Sequence, residues 1–202
     1  REEQSGHQQE AFIRELGDQA QEILFYHQSS VDMDFDNRTK EIYMISAGEE
    51  LRSFISLHAG ESEVSLPGLN EVVLSVGVAE MLDIHIGDTV TFRNPDMQIM
   101  DLTVSGIYDN HVYNYSIVAP ETIEAQWGSA PEQEMAFVKV AQGHTPHAVS
   151  AQISSMDDVM NVSVSEDMAD MVRNMMEALD LVVVVIVVCA AVLAITVLYN
   201  LT

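Results

Sequence analysis

From Leu181 to Tyr199 the chain reads LVVVVIVVCAAVLAITVLY, with no charge, Pro or Gly. As a helix at 1.5 Å per residue, such a run covers about 28 Å, close to the hydrocarbon thickness of a bilayer. A secretory signal segment is shorter, N-terminal and followed by a small-residue cleavage site, so this run is not one. The competing reading is a core helix of a soluble protein. That helix would be apolar on every face, and the remaining residues would have to wrap it completely. The consecutive valines 182–185 also have weak helix propensity in water. A transmembrane helix over 181–199 is therefore expected, with Leu181, Val185, Cys189, Ala194 and Tyr199 in the bilayer. The start at Arg1 and the lack of Lys or Arg after Arg173 fit a piece of a longer protein that continues past Thr202.

The rest of the chain is rich enough in apolar residues to fold. Of 202 residues, 48% are hydrophobic and 20% charged, which excludes a wholly disordered chain. With 8 Lys+Arg against 32 Asp+Glu the formal charge is −24. The eight cations are scattered singly, so no basic patch exists for phosphate and nucleic acid is excluded as a partner. An acidic surface either serves solubility alone or gives a weak preference for cationic peptides or cations over anionic ligands, within a Debye length of about 8 Å. The lone Cys189 excludes a disulfide framework.

Hydrophobic periodicity divides the remainder into short elements. Phe12, Leu16, Ala20 and Ile23 recur at spacings of three and four, predicting an N-terminal stalk helix within residues 1–24. Val31, Met33 and Phe35 then alternate with Asp32, Asp34 and Asp36. A second apolar run, Ile42 to Ile45, follows Asp36-Asn37-Arg38, which together is a β-hairpin signal with a polar turn. Further on, strands are expected over 71–74, 89–93, 98–108, 115–119, 135–140 and 159–164. Helices are expected over 49–57, 76–82, 120–128 and 145–155, with Pro120 in the favoured first position and Gly128 as a C-terminal cap. Ser165 is a good N-cap, with acidic residues in the first turn behind it. From there no helix breaker occurs before Thr202, so a pre-membrane helix over 166–180 should run on into the span. The fold class expected is α+β: a compact mixed domain over 25–165 with short strands and helices, then one long helix entering the membrane.

Three segments in this order are familiar. Asn70–Phe92 (NEVVLSVGVAEMLDIHIGDTVTF), Leu102–Asp109 (LTVSGIYD) and Ser116–Ile123 (SIVAPETI) resemble the extracytoplasmic domain of FtsX/MacB-like ABC transporter permeases. Leu198-Tyr199-Asn200-Leu201-Thr202 resembles the close of the transmembrane helix that follows it in that family. The resemblance covers residues 70–202, while 1–69 fit loosely as a stalk helix and first hairpin. It implies a permease half at the cell membrane, with its large domain on the extracytoplasmic face. The partners implied are a cytoplasmic ABC ATPase subunit and the other permease transmembrane helices, as a dimer in the lipid bilayer. The ATPase activity would lie in the separate subunit. A single-pass surface receptor or adhesion module without an ATPase is the alternative from a different class.

Motifs for bond chemistry are lacking. Asp32, Asp34, Asp36 and Asn37 suggest a calcium loop, but Asn37 and Tyr43 stand where an EF-hand needs Gly and Glu. The three Asp side chains read instead as one solvated strand face. His144 and His147 flank Pro146 with no third ligand nearby, short of a zinc set. No phosphate-binding glycine loop, G-x-S-x-G elbow or H-E-x-x-H occurs. The chain is expected to be no enzyme and to use no catalytic residue, cofactor or metal. Asp109, His111, Tyr113 and Tyr115 form a polar aromatic loop between strands, and are the candidates for ligand or partner contact.

Overall fold

The computed structural model describes residues 2–110, 114–156, 159–164, 182–194, 196–197 and 199. Residues 1–143 and 144–202 form two separate units.

The first unit is built outward from one hairpin. Helix α1 (Glu2–Leu16) ends where Gly17 adopts φ +48°, and a three-residue 3₁₀ turn leads into β1 (Ala20–Phe35). The predicted helix thus stops short of its expected end at 24. Residues 20–26 pair instead with β9 (Met135–Val140), a long-range ladder that overrides the helical spacing of Ala20 and Ile23. Asp36 and Asn37, at φ 46° and 59°, make the two-residue turn into β2 (Arg38–Ser46). Positive φ at both positions matches the right-handed twist of the flanking strands, which is why Asp and Asn suit them.

After β2 come α2 (Leu51–Phe54), a small hairpin of β3 (His58–Ala59) and β4 (Ser62–Glu63), then β5 (Glu71–Ser75) and α3 (Val76–Leu82). The chain continues through β6 (Thr89–Arg93), β7 (Ile99–Tyr108), β8 (Tyr115–Val118) and α4 (Pro120–Trp127) to β9. Helix α4 begins on Pro120 and ends on Gly128 at φ 82°, as its punctuation predicts.

Six of these strands close on themselves in the order β1-β2-β8-β5-β7-β6, because β1 pairs with both β2 and β6. The result is a mixed six-stranded barrel with β9 added on β1. Closure removes the unpaired edges of an open sheet. Its interior is filled by alternate residues from every strand: Met33, Met44, Leu74, Val118, Phe92 and Leu102 are among the side chains sealed there.

A second core lies on the outer wall. Along β7, Met100, Leu102 and Val104 face inward, but the register then slips, with Val72 opposite Val104 and Val73 opposite Gly106. Ser105 is the extra residue of a β-bulge, and the bulge reverses which side chains face in. Ile107 now packs on the interior core, while Tyr108 turns outward to Val73, Leu57 and Leu51. A Cβ on Gly106 would lie 2.7 Å from Val64 Cγ1, so only glycine lets the 57–66 segment rest on the wall there.

In the second unit, α5 (Pro146–Ile153) buries Val149 and Ile153. Residues 159–164, expected as a strand, have no regular structure and leave Met160 fully exposed. A strand exists only as paired, and among the described residues nothing pairs with this segment, however well it alternates. Ser165 and the pre-membrane helix over 166–180 lie outside the described residues, as does Leu181. Residues 182–194 are helical and include Val185, Cys189 and Ala194; Tyr199 is helical as well. Among the described residues no helix is long and apolar enough to cross a membrane. The stretch 182–194 covers only about 20 Å at 1.5 Å per residue, against roughly 30 Å of hydrocarbon, so the span expected over 181–199 is not complete within them.

Candidate functional site

Of the four loop residues singled out, Asp109 and Tyr115 are described, while His111 and Tyr113 lie outside the described residues. Asp109 is committed locally. Its backbone N–H donates to the His58 carbonyl at 2.6 Å, and its carboxylate accepts from Gly60 N at 2.7 Å. Those two bonds tie the β3–β4 hairpin to the end of β7. Tyr115 sits opposite Tyr43 in the parallel β2–β8 ladder, with ring centroids 5.7 Å apart.

Tyr115 also belongs to the outer core with two more tyrosines. Burial, reinforced by the nearby Tyr115, pushes the Tyr26 phenol up to about 12. Burial likewise raises Tyr108, partly offset by a hydrogen bond with Asn110 and aided by Tyr115. Phenols held neutral in this way pack as aromatics. The Tyr26 ring stacks on Phe137 at 4.2 Å, Phe54 follows at 6.1 Å, and Lys139 Nζ lies 4.7 Å over Phe54.

The acidic face of β1 is similarly engaged. Asp34 accepts hydrogen bonds from Thr39 and Arg93; the Thr39 bond foremost holds its carboxyl below the usual range, against the opposing effect of desolvation and with further help from Arg93. Among the described residues no group of three or more His, Cys, Asp or Glu is placed to hold a metal ion.

Among the described residues a concavity lies elsewhere, at the carboxyl ends of β2 and β8. These strands run parallel, Ser46 opposite Val118, and their chains then part toward α2 and α4. The divergence leaves a groove of about 260 Å³. Ile117–Pro120 form its floor, Ala47–Glu49 one wall and Leu66–Leu69 the other. The second wall is fastened from behind. Gly68 N donates to Glu71 Oε2 at 2.8 Å, Asn70 N to Thr122 Oγ1 at 2.9 Å, and Gln126 Nε2 to Asn70 Oδ1 at 2.9 Å. Sequence reasoning missed the groove because its first wall and its floor are some seventy residues apart and meet only through the β2–β8 pairing. The turn residues Pro67-Gly68 and Ala119-Pro120 were its only local signal.

In structure the chain is similar to the extracellular domain of the noncanonic ABC-type transporter YknZ from Gram-positive bacteria. The TM-score is 0.51 at 12% identity, covering 74% of this chain and 81% of that one. The periplasmic region of MacB from Actinobacillus actinomycetemcomitans aligns with a TM-score of 0.48 at 13% identity, covering 82% of each chain. No curated protein sequence matches. Residues 16–156, from the last residue of α1 to just beyond α5, match the MacB-like periplasmic core domain. That stretch takes in every strand of the barrel, and the chain belongs to the MacB-like periplasmic core domain family of FtsX/MacB-type ABC permeases.

Proposed function

We propose that this chain is the extracytoplasmic domain of a permease subunit together with the start of its membrane part, in which the barrel binds substrate or partner and passes motion to and from the membrane. The family matched is that of a periplasmic core domain, which suits binding and transmission rather than bond chemistry. A cytoplasmic ABC ATPase would supply the energy, with residues 181–199 as a membrane span beside other permease helices. The observation that carries this reading is the family match over 16–156, followed in sequence by that apolar run. Two features support it. A closed barrel has no free edge along which its strands can slide, so a displacement at one end moves the whole wall. The helical stretch after Leu181 exposes apolar side chains on all faces, with Val182 to Val188 each more than half exposed, as suits a lipid or helix-lined environment.

The test is composition of the native complex. Isolated in mild detergent from its own membranes, the protein should come away with a nucleotide-hydrolysing ABC subunit, in fixed ratio. A preparation that never contains one would overturn the permease reading in favour of a receptor or adhesion module.

A further inference from the structure

The groove at the carboxyl ends of β2 and β8 is not assigned any role by the family match. We propose that it is a socket for a basic peptide segment in which an apolar side chain adjoins Lys or Arg. The proposal rests on the reading of the barrel as an extracytoplasmic binding domain. At about 260 Å³ the groove is smaller than the roughly 300–1,000 Å³ that encloses a drug-sized ligand, so it suits one or two side chains of a longer segment. Its surface is apolar where such a side chain would rest. Ile117 and Pro67 are buried, whereas Leu69 is 61% exposed at the lip, an apolar side chain left in water.

The charge at the rim selects the neighbour of that side chain. The described lining carries two carboxylates, Glu49 and Glu121, and no Lys or Arg. Glu49 shares its charge with Arg52, whose Nε lies 3.1 Å away, whereas Glu121 is exposed on the first turn of α4. The N-terminus of α4 adds a partial positive charge of roughly half a unit, which would draw an anion. A full negative charge on Glu121, in that same turn, outweighs it. An anionic segment would meet both carboxylates and the −24 charge of the chain, so the complementary occupant is cationic. The Leu66–Leu69 wall is held by the Gly68–Glu71 and Asn70–Thr122–Gln126 bonds before any ligand arrives, which lowers the ordering cost of binding.

The test uses the full chain in nanodiscs of zwitterionic lipid, with empty nanodiscs as reference. The probe is the end-blocked pentapeptide Ser-Lys-Leu-Lys-Ser, compared with Ser-Glu-Leu-Glu-Ser and Ser-Lys-Ser-Lys-Ser. The Lys-Leu peptide should bind best. Glu121→Gln and Leu69→Ser should each weaken it roughly fivefold, as expected for one exposed charge pair or one modest apolar contact. Glu80→Gln, which removes the same charge from an exposed position on α3, beyond the opposite end of β5, should leave binding unchanged. No binding of the Lys-Leu peptide, equal binding of either comparison peptide, or wild-type affinity in both groove variants overturns the socket. An ABC ATPase that still copurifies while peptide binding fails removes the socket and leaves the permease reading standing.

Discussion

Arg93 on β6 donates to the Asp34 carboxylate on β1 across the seam that closes the barrel. Only three residue pairs join these strands, Asp32–Arg93, Met33–Phe92 and Asp34–Thr91, so the ion pair reinforces one of the shortest ladders in the wall. Thr39, directly opposite on β2, donates to the same carboxylate. An acidic face that reads as solvated in sequence therefore includes one Asp that ties three strands together.

Asp34→Asn is expected to lower stability by about 1 kcal/mol near neutral pH, a modest figure because both partners are about 30% exposed. The carboxyl is held below its ordinary value, so its contribution is present above the unfolded carboxylate range and disappears as pH falls through the folded value. Urea unfolding of the two proteins should show a gap near neutrality that narrows in acid. A gap that persists unchanged at low pH would mean the charge is not its source.

The hairpin turn gives a sharper result. Asn37 has φ 59°, a conformation that costs a β-branched residue on the order of 1–2 kcal/mol. Asn37→Val should lose that amount in thermal or urea melts, and Asn37→Gly should be neutral or slightly stabilising.

Gly106→Ala should destabilise by roughly 1–3 kcal/mol, because its Cβ would press on the stiff Val64 side chain at 2.7 Å. Val64→Ala removes that obstacle, so the double variant should recover part of the loss. A double-mutant cycle showing simple additivity would break the link between the bulge and the 57–66 segment.

At high pH the buried phenol of Tyr26 should matter. It ionises at about 12 when folded, against about 10 unfolded. The stability this proton contributes is complete below the unfolded value and is lost as pH rises through the folded one, on the order of 2 kcal/mol. Tyrosinate absorbance should show late titration that Tyr26→Phe removes.

Cys189, the only thiol, reports on the apolar run. In intact membranes a membrane-impermeant maleimide should leave it unlabelled, while Ser62→Cys on exposed β4 reacts from the outer face. Labelling of Cys189 from water would overturn a span over 181–199.

Elements whose punctuation is local were legible in the sequence. The Asp36-Asn37 turn and the Pro120-to-Gly128 helix follow from residue types suited to those backbones, and β5, α3, β6 and β9 lie between turn residues where their apolar patterns placed them. The family, too, was legible in the order of three segments along 70–123. What tertiary structure decided is everything that depends on a partner distant in the chain. Residues 20–26 became strand because β9 lies against them, and 159–164 remained without regular structure for lack of a partner among the described residues. Closure of the sheet on β1, the role of Asp34 and the groove under Leu69 were invisible for the same reason. Periodicity records which face of an element is apolar, whereas pairing and concavity arise only when elements far apart in sequence meet.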